Sequence, residues 1–184
     1  MRLSPDSNLL ATNPDGQPYY FKPDPWENEI DNPLYSLYNT DRTSTQQRFL
    51  GGYNLNVKFT SWLNADLEYT FESDNYRYTN NNKYESFQDD GSDIGFGYSK
   101  GSLYKSSRNS LAQKAQATLN FAKEVGEFEL KGKLSYLNED IRTESFYSQG
   151  TDYLYPGIPS LDNFDSDNLI SGSGFSQTIA QNFF

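Results

Sequence analysis

Strict alternation of apolar and polar residues over two neighbouring stretches is the feature that most constrains this chain. From Leu63 to Phe71, every odd-numbered residue is apolar and every even-numbered residue is polar. The stretch from Tyr53 to Phe59 follows the same rule. Successive side chains of a β-strand point to opposite faces, so each stretch predicts a strand with one apolar and one polar face. Both strands are about as long as a membrane-spanning β-strand, ~9–11 residues.

A second pair of stretches repeats the pattern, from Ala115 to Phe121 and from Phe128 to Tyr136. Short turns are predicted within both pairs, at Thr60-Ser61 and at Lys123–Gly126, and long polar segments separate the pairs. Trp62 follows the first turn, and an indole ring suits the boundary between membrane and water. Outer-membrane barrels have short periplasmic turns and long extracellular loops, and the chain shows the same rhythm.

The chain is therefore expected to be all-β, a segment of an antiparallel transmembrane β-barrel with about four to five strands. Six segments are predicted: an extracellular loop at 1–46, a wall hairpin at 47–73, a loop at 74–109, a wall hairpin at 110–139, a loop at 140–174, and the start of a further strand at 175–184. The smallest bacterial barrels have about 8 strands, and an open sheet edge in lipid would leave backbone groups unpaired. We expect the rest of the barrel to come from a larger protein, and the first residues, which lack an apolar run, not to be a signal peptide.

Composition excludes several classes of function. Aromatic residues make up 16% of the 184 residues, which argues against bulk disorder. The formal net charge of -10 argues against nucleic acid as a partner, because phosphate contacts need a surplus of Lys and Arg. The chain has neither Cys nor His, so it lacks disulfides, thiolate metal sites and the usual general base. We expect no enzyme activity and no cofactor.

Two parts of the chain carry recognisable motifs. The first is D-N-P-L-Y-S-L-Y at residues 31–38, followed by R-F-L-G-G-Y-N-L-N-V-K-F-T-S-W-L at 48–63. The second is Y-P-G-I-P-S-L-D-N-F at 155–164. Together they resemble the SusC/RagA-type TonB-linked transporters. The resemblance implies a parent barrel of about 22 strands with a plugged lumen in the bacterial outer membrane. It also implies import of glycans or peptides, a SusD-like surface lipoprotein as a lid, and TonB acting through a plug that this chain lacks.

The alternation assigns side chains to the two sides of the wall. The apolar set is predicted to face lipid: Tyr53, Leu55, Val57, Phe59, Leu63, Ala65, Leu67, Tyr69, Phe71, Leu119, Phe121, Phe128, Leu130, Leu134 and Tyr136. The charged set is predicted to face the lumen: Asp66, Glu68, Glu72, Lys114, Glu129, Lys131 and Lys133. These charges either bind a polar substrate or are simply tolerated by a water-filled lumen.

Aromatic residues of the segment 74–109 are candidates for contacts with substrate or lid, because rings bury area on a ligand at low entropic cost: Tyr76, Tyr78, Tyr84, Phe87, Tyr98 and Tyr104. The alternative is that they pack the loops on one another. Two Asp-rich stretches, 89–93 and 162–168, carry oxygen ligands of the kind that Ca²⁺ takes, but neither has the EF-hand pattern. Solvated turns are the other interpretation of both.

Two other architectures fit the alternation. In a secreted, soluble carbohydrate-binding or adhesive β-domain, the apolar faces would pack on each other in a sandwich. A complete small barrel is disfavoured by the strand count.

Overall fold

The computed structural model describes residues 9–12, 16, 18, 32–84, 86–88 and 97–184. Within these residues there are one short helix, α1 (Pro33–Asn39), and seven strands. Two 3-10 turns, Leu161–Asn163 and Ser166–Asn168, lie between the last two strands. The strands are β1 (Thr40–Lys58), β2 (Leu63–Asn82), β3 (Ser86–Gln88), β4 (Gly97–Ser99), β5 (Ser102–Val125), β6 (Phe128–Thr151) and β7 (Leu169–Phe183). The prediction of an all-β, mainly antiparallel chain is confirmed.

Five long strands form one sheet in the order β1-β2-β5-β6-β7, and β3 pairs antiparallel with β4. Within the described residues, β1 and β7 each have a hydrogen-bonded neighbour on one side only, so the sheet is open. No helix of the described chain is both long and apolar enough to cross a membrane.

The strands are much longer than the sequence predicts. β2 continues to Asn82 rather than ending at residue 73, β5 begins at Ser102 rather than 110, and β6 continues to Thr151 rather than 139. The predicted boundaries follow the apolar alternation, whereas backbone hydrogen bonds extend the ladder through polar residues that carry no such signal. As a result, the predicted loop at 140–174 is reduced to residues 152–168.

Corrections of the same kind apply near the other ends. α1 and the first part of β1, residues 40–46, occupy residues predicted as loop. The helix begins here because Asn32 accepts from the Leu34 N–H at 3.0 Å and Pro33 occupies the first turn. The second tight turn lies at 126–127, three residues later than its predicted start. The first lies at 59–62, where the N–H groups of Phe59 and Thr60 both donate to the Leu63 carbonyl.

The chain forms two compact units, each built from three segments. The hairpin unit consists of Thr45–Arg77, Ser107–Phe146 and Ser173–Phe184. The loop-bearing unit consists of Met1–Ser44, Tyr78–Ser106 and Tyr147–Gly172.

A small apolar core belongs to the loop-bearing unit. Leu103 is fully buried, and Tyr153 and Phe164 are almost so. The rings of Tyr153 and Phe164 stack with centroids 4.3 Å apart, and their backbones form an antiparallel bridge. In the hairpin unit, by contrast, Ala65 is the only buried apolar residue among those described. The hairpin unit is therefore a sheet layer without a core of its own.

Candidate functional site

Three tyrosines from three strands form a row in the loop-bearing unit. The ring of Tyr104 lies 6.1 Å from that of Tyr78 and 6.3 Å from that of Tyr147, measured between centroids. The Tyr104 and Tyr147 planes are inclined by only 23°. Tyr147 also covers Gly172 of β7, where an added Cβ would lie 2.6 Å from its Cε1 atom. The row therefore crosses the sheet and ends against bare backbone.

The tyrosine row brings together two of the six aromatic residues that the sequence singled out, Tyr78 and Tyr104. Its third member, Tyr147, was not predicted, because it lies in a segment interpreted as loop and no motif marks it. All three tyrosine side chains are at least partly exposed. Aromatic faces of this kind bind the apolar faces of flat ligands and sugars.

The other aromatic candidates lie elsewhere. Tyr76 belongs to the hairpin unit, where the Arg108 guanidinium carbon lies 5.9 Å from its ring centroid. Tyr84 packs against the core of Leu103, Tyr153 and Phe164. Phe87 and Tyr98 are directly paired across β3 and β4, but their side chains lie outside the described residues. Tyr84 thus packs its loop, as the alternative interpretation proposed, whereas Tyr78 and Tyr104 lie on strands.

Asn163 organises the loop that carries the second resemblance. Its amide nitrogen donates to the carbonyls of Tyr155 at 2.7 Å and Ile158 at 2.9 Å. Its amide oxygen accepts from the Tyr155 N–H at 3.0 Å. The side chain is buried, so these three bonds hold residues 155–163 in one conformation.

A cleft of about 340 Å³ lies beside this loop in the same unit. The Tyr153 hydroxyl donates to Asn81 Oδ1 at 2.7 Å within it, and burial raises the pKa of Tyr153 to about 12. Lys83 lies at its rim, with Nζ 3.7 Å from Asp41 and 5.0 Å from the Tyr38 ring centroid. The polar groups of this cleft bond to one another, which suits a structural rather than a reactive site.

The Asp-rich stretch 162–168 consists of capped turns in the structure. Asp165 accepts from the Asp167 N–H at 3.2 Å as a cap, and Ser160 performs the same role for Asp162. No group of three or more acidic, His or Cys side chains among the described residues is arranged to hold a metal ion. The stretch 89–93 lies outside the described residues.

The hairpin unit carries the two faces that the alternation predicts. On its polar face, Asp66 accepts from Asn56 and Asn120, Glu72 binds Arg48 at 2.6 Å, and Glu129 binds Lys131 at 2.7 Å. The apolar set lies on the opposite face, where rings contact across strands, such as Tyr136 and Phe183 at 4.7 Å.

Large side chains on the apolar face are exposed. Among the residues predicted to face lipid, those with more than a third of their surface open are Tyr53, Leu55, Phe59, Leu67, Leu119, Phe121, Phe128, Leu130 and Leu134. Phe128 reaches 76% and Leu134 57%. Val57, Leu63, Tyr69, Phe71 and Tyr136 are half-buried, and Ala65 is buried. A continuous apolar surface of this kind marks a contact with membrane or with another apolar surface.

No protein-family model matches the chain, and no curated protein is significantly similar to it in sequence.

Proposed function

We propose that this chain is part of the wall of a TonB-dependent outer-membrane nutrient importer of the SusC/RagA type. In this proposal, it contributes strands and loops to a larger barrel that imports glycans or peptides across the bacterial outer membrane. A SusD-like lipoprotein covers the barrel, and TonB acts through a plug supplied by the rest of the transporter.

The observation that carries the proposal is the exposed apolar face of the hairpin unit. Four leucines of this face expose between 43% and 57% of their surfaces: Leu55, Leu67, Leu130 and Leu134. The described part of the unit has no apolar core in which they could be buried. In water such a face is costly, at about 25 cal/mol for each Å² of apolar surface left exposed. Contact with lipid removes that cost, and the polar face opposite suits a water-filled lumen.

The open edges of the sheet support the same proposal. In the described residues, β1 and β7 each lack a strand on one side. In hydrocarbon each unpaired backbone group costs several kcal/mol, so spanning sheets close. The proposal therefore needs further strands from the remainder of the barrel on both sides.

Trp62 marks the periplasmic boundary in this proposal. It lies in the first tight turn, and Lys123 Nζ, next to the second turn, lies 5.4 Å from its ring centroid. An exposed indole next to a Lys ammonium is the arrangement expected where side chains meet the headgroup region.

The experiment compares Leu67→Arg with Glu68→Arg in cells that produce the protein. The substitutions place the same charge on adjacent residues of β2, but on opposite faces. A cation on the lipid face near the midplane costs about 2–4 kcal/mol, whereas the polar face tolerates it. We expect Leu67→Arg, and likewise Leu134→Arg, to reduce the amount of heat-modifiable protein in the outer-membrane fraction, and Glu68→Arg to leave it unchanged. Equal assembly of Leu67→Arg and Glu68→Arg would refute the proposal.

A soluble, secreted carbohydrate-binding or adhesive β-domain is the second candidate, and the tyrosine row is the observation that favours it. Three partly exposed rings in line offer a platform for a sugar chain without any membrane. This function requires the chain to remain in solution without detergent and to melt cooperatively. The exposed apolar face of the hairpin unit is the reason to rank it second.

A further inference from the structure

The apolar face of the hairpin unit has a second end, on the side away from the tight turns. Residues of one face recur at every second position, so each strand can be followed two residues at a time. Away from the turns, the apolar run on β1 ends at Phe49 and that on β2 ends at Phe71. The runs on β5 and β6 end at Ala115 and Tyr136. We call the next residue of this face on each strand the polar edge: Gln47, Ser73, Gln113 and Asn138.

Contacts between β1 and β2 fix which of their residues stand opposite each other. A Cβ at Gly51 of β1 would lie 2.6 Å from the Phe71 ring of β2, so these two residues are opposite. Because paired strands of a hairpin run antiparallel, Phe49 then stands opposite Ser73. The first polar residue on β2 is therefore level with the last apolar residue on β1.

The same offset recurs between β2 and β5. The Ala122 N–H of β5 donates to the Trp62 carbonyl at 2.9 Å. Counting along both strands from this bond sets Gln113 opposite Phe71. The first polar residue on β5 is again level with the last apolar residue on the neighbouring strand.

β5 and β6 show the offset a third time. The hydroxyls of Thr118 and Ser135 hydrogen-bond across these strands at 3.0 Å, which sets Asn138 opposite Ala115. The polar edge thus shifts by two residues, in the same direction, at each of the three steps from β1 to β6. It crosses the sheet obliquely.

A planar apolar layer accounts for this oblique edge. Strands of membrane barrels tilt by about 35–45°, so a level boundary meets each neighbouring strand at a different residue. With strands about 4.8 Å apart, the boundary shifts by about 3–5 Å per strand, which is roughly one to one and a half residues. A face that shows every second residue registers this shift in steps of two.

The extent of the apolar face fits the same layer. On β2 the face extends from Leu63 to Phe71, which is about 26 Å along the strand at ~3.3 Å per residue. A tilt of about 40° reduces this length to about 20 Å along the membrane normal, near the apolar band of about 25 Å in outer-membrane barrels.

Beyond the polar edge, a polar network occupies the same face of β6 and β7. Asp140 accepts from Gln177 at 2.9 Å and from Arg142 at 2.7 Å. Gln181 donates to Asn138 at 3.2 Å. All five lie at even-numbered positions of β6 or odd-numbered positions of β7, as the rings of Tyr136 and Phe183 do. An ion pair with amides is costly in hydrocarbon, so the network favours a polar surrounding.

Isolated apolar side chains on this face do not move the edge. Outside the apolar runs, the face exposes Leu111, Phe146, Phe175 and Ile179. Each stands between two polar residues of its own strand on that face. Scattered apolar side chains of this kind need no apolar partner.

We propose that the polar edge and the network beyond it contact the lipid headgroups of the outer leaflet. The edge is then the extracellular limit of the hydrocarbon along this wall, as Trp62 marks its periplasmic limit. Amide side chains and the Arg142–Asp140 pair meet the phosphate and hydroxyl groups of the headgroups through hydrogen bonds. This inference rests on the proposed function, because it requires a bilayer on the apolar face.

One pair of residues tests the oblique edge directly. Phe49 stands opposite Ser73, which stands opposite Leu111, which stands opposite Arg142, so Phe49 and Arg142 share one row across the sheet. A level edge gives them the same depth. The oblique edge puts Phe49 in hydrocarbon and Arg142 among headgroups, about 9 Å apart in depth, because a row across strands tilted by about 40° changes depth by about 3 Å per strand.

The measurement is the depth of a nitroxide label in outer membranes isolated from cells that produce the protein. The chain has no cysteine, so a single introduced cysteine carries the only label. Oxygen, which concentrates in hydrocarbon, and a water-soluble nickel complex compete to relax the label. We expect oxygen to dominate in Phe49→Cys and in the mid-band reference Leu67→Cys. We expect nickel to dominate in Arg142→Cys and in Leu50→Cys, the neighbour of Phe49 on the polar face.

A second pair guards against loss of the ion pair in Arg142→Cys. Tyr53 and Asn138 also share one row, through Tyr69 and Ala115. We expect oxygen to dominate in Tyr53→Cys and a several-fold lower ratio of oxygen to nickel relaxation in Asn138→Cys.

The outcomes separate this inference from the proposed function. Equal ratios within both pairs, with oxygen dominating in Leu67→Cys, would overturn the oblique headgroup contact and leave the transporter proposal standing. Relaxation of the Leu67→Cys label by nickel, or by neither reagent, would place water or a second packed sheet on the apolar face. That result would overturn the transporter proposal and this inference together.

Discussion

Adding a single methyl group at Gly101, as in Gly101→Ala, should destabilise the loop-bearing unit strongly. Gly101 precedes β5 with a φ of +82° and is buried. A Cβ there would lie 2.5 Å from the carbonyl oxygen of Asn82 and 2.9 Å from the carbonyl group of Lys83. Both obstacles are backbone, so neither can move aside as a side-chain tip would.

The magnitude follows from two separate costs. An L-residue in the left-handed region costs roughly 1–2 kcal/mol, partly offset by about 0.4–1 kcal/mol from the stiffer unfolded chain. The backbone overlap adds about 1–3 kcal/mol, the usual cost of forcing atoms into filled space. We expect Gly101→Ala to destabilise the loop-bearing unit by about 2–4 kcal/mol in total.

Gly157 provides a matched control in the same unit. Its φ is +78°, but nothing lies within 4 Å of an added Cβ. Gly157→Ala therefore carries the conformational cost without the overlap, and should destabilise by only about 1 kcal/mol. The difference in stability between the two variants therefore measures the cost of the overlap between the added Cβ and the backbone of Asn82 and Lys83 at the end of β2.

Hydrogen exchange measures this effect locally. The amides of Asp152 and Tyr153 donate to the carbonyls of Gly101 and Lys100, at 3.0 and 3.1 Å. A loss of about 2 kcal/mol should accelerate their exchange roughly 30-fold in Gly101→Ala, since 1.4 kcal/mol is tenfold. Equal acceleration in Gly101→Ala and Gly157→Ala would refute the reasoning.

Two further predictions concern the loop-bearing unit. Tyr104→Leu should lower the free energy of unfolding by about 1–3 kcal/mol, because it removes two ring contacts, each worth about 0.5–1.5 kcal/mol. Tyr104→Phe keeps both contacts and is the control. Thermal unfolding compares the two variants, and an equal loss of stability in both would contradict the role of ring stacking. The pKa of Tyr153 is raised to about 12 by burial, so its contribution to stability is complete below pH 10, the unfolded value, and is lost as the pH rises towards 12. In Tyr153→Phe, the free energy of unfolding should therefore fall less steeply with pH between 10 and 12, as followed by near-UV circular dichroism. An unchanged dependence on pH would show that another group is responsible.

The hairpins are the part of the fold that the sequence specifies locally. Leu63 to Phe71 alternates without exception because a strand with one apolar face must repeat with a period of two residues. The same period assigns Asp66 and Leu67 to opposite faces, as the structure has them. Because tight turns interrupt the alternation, the sequence also predicts that two turns exist. The second turn lies at 126–127, whereas the predicted position is 123–126.

The apolar alternation does not predict where the strands end. β2 runs on through Asn80 and Asn82, whose side chains bond Arg42 and Thr40 of β1. Polar residues on both faces leave no periodic signal, and the ladder that holds them consists of backbone groups common to every sequence. The strand length is consequently a property of the pairing between strands.

The tyrosine row depends on register between strands far apart in the chain. The tyrosine row takes one ring from each of β2, β5 and β6, and Tyr147 carried no mark of its own in the sequence. Likewise, Ser110 and Thr143 are 33 positions apart, and they hydrogen-bond only because the β5–β6 turn sets which residues stand opposite. By itself the sequence determined the strands, their two faces and their short turns, because these follow from side-chain period. Only the tertiary structure decided which side chains share a site, because that depends on the pairing of distant backbones.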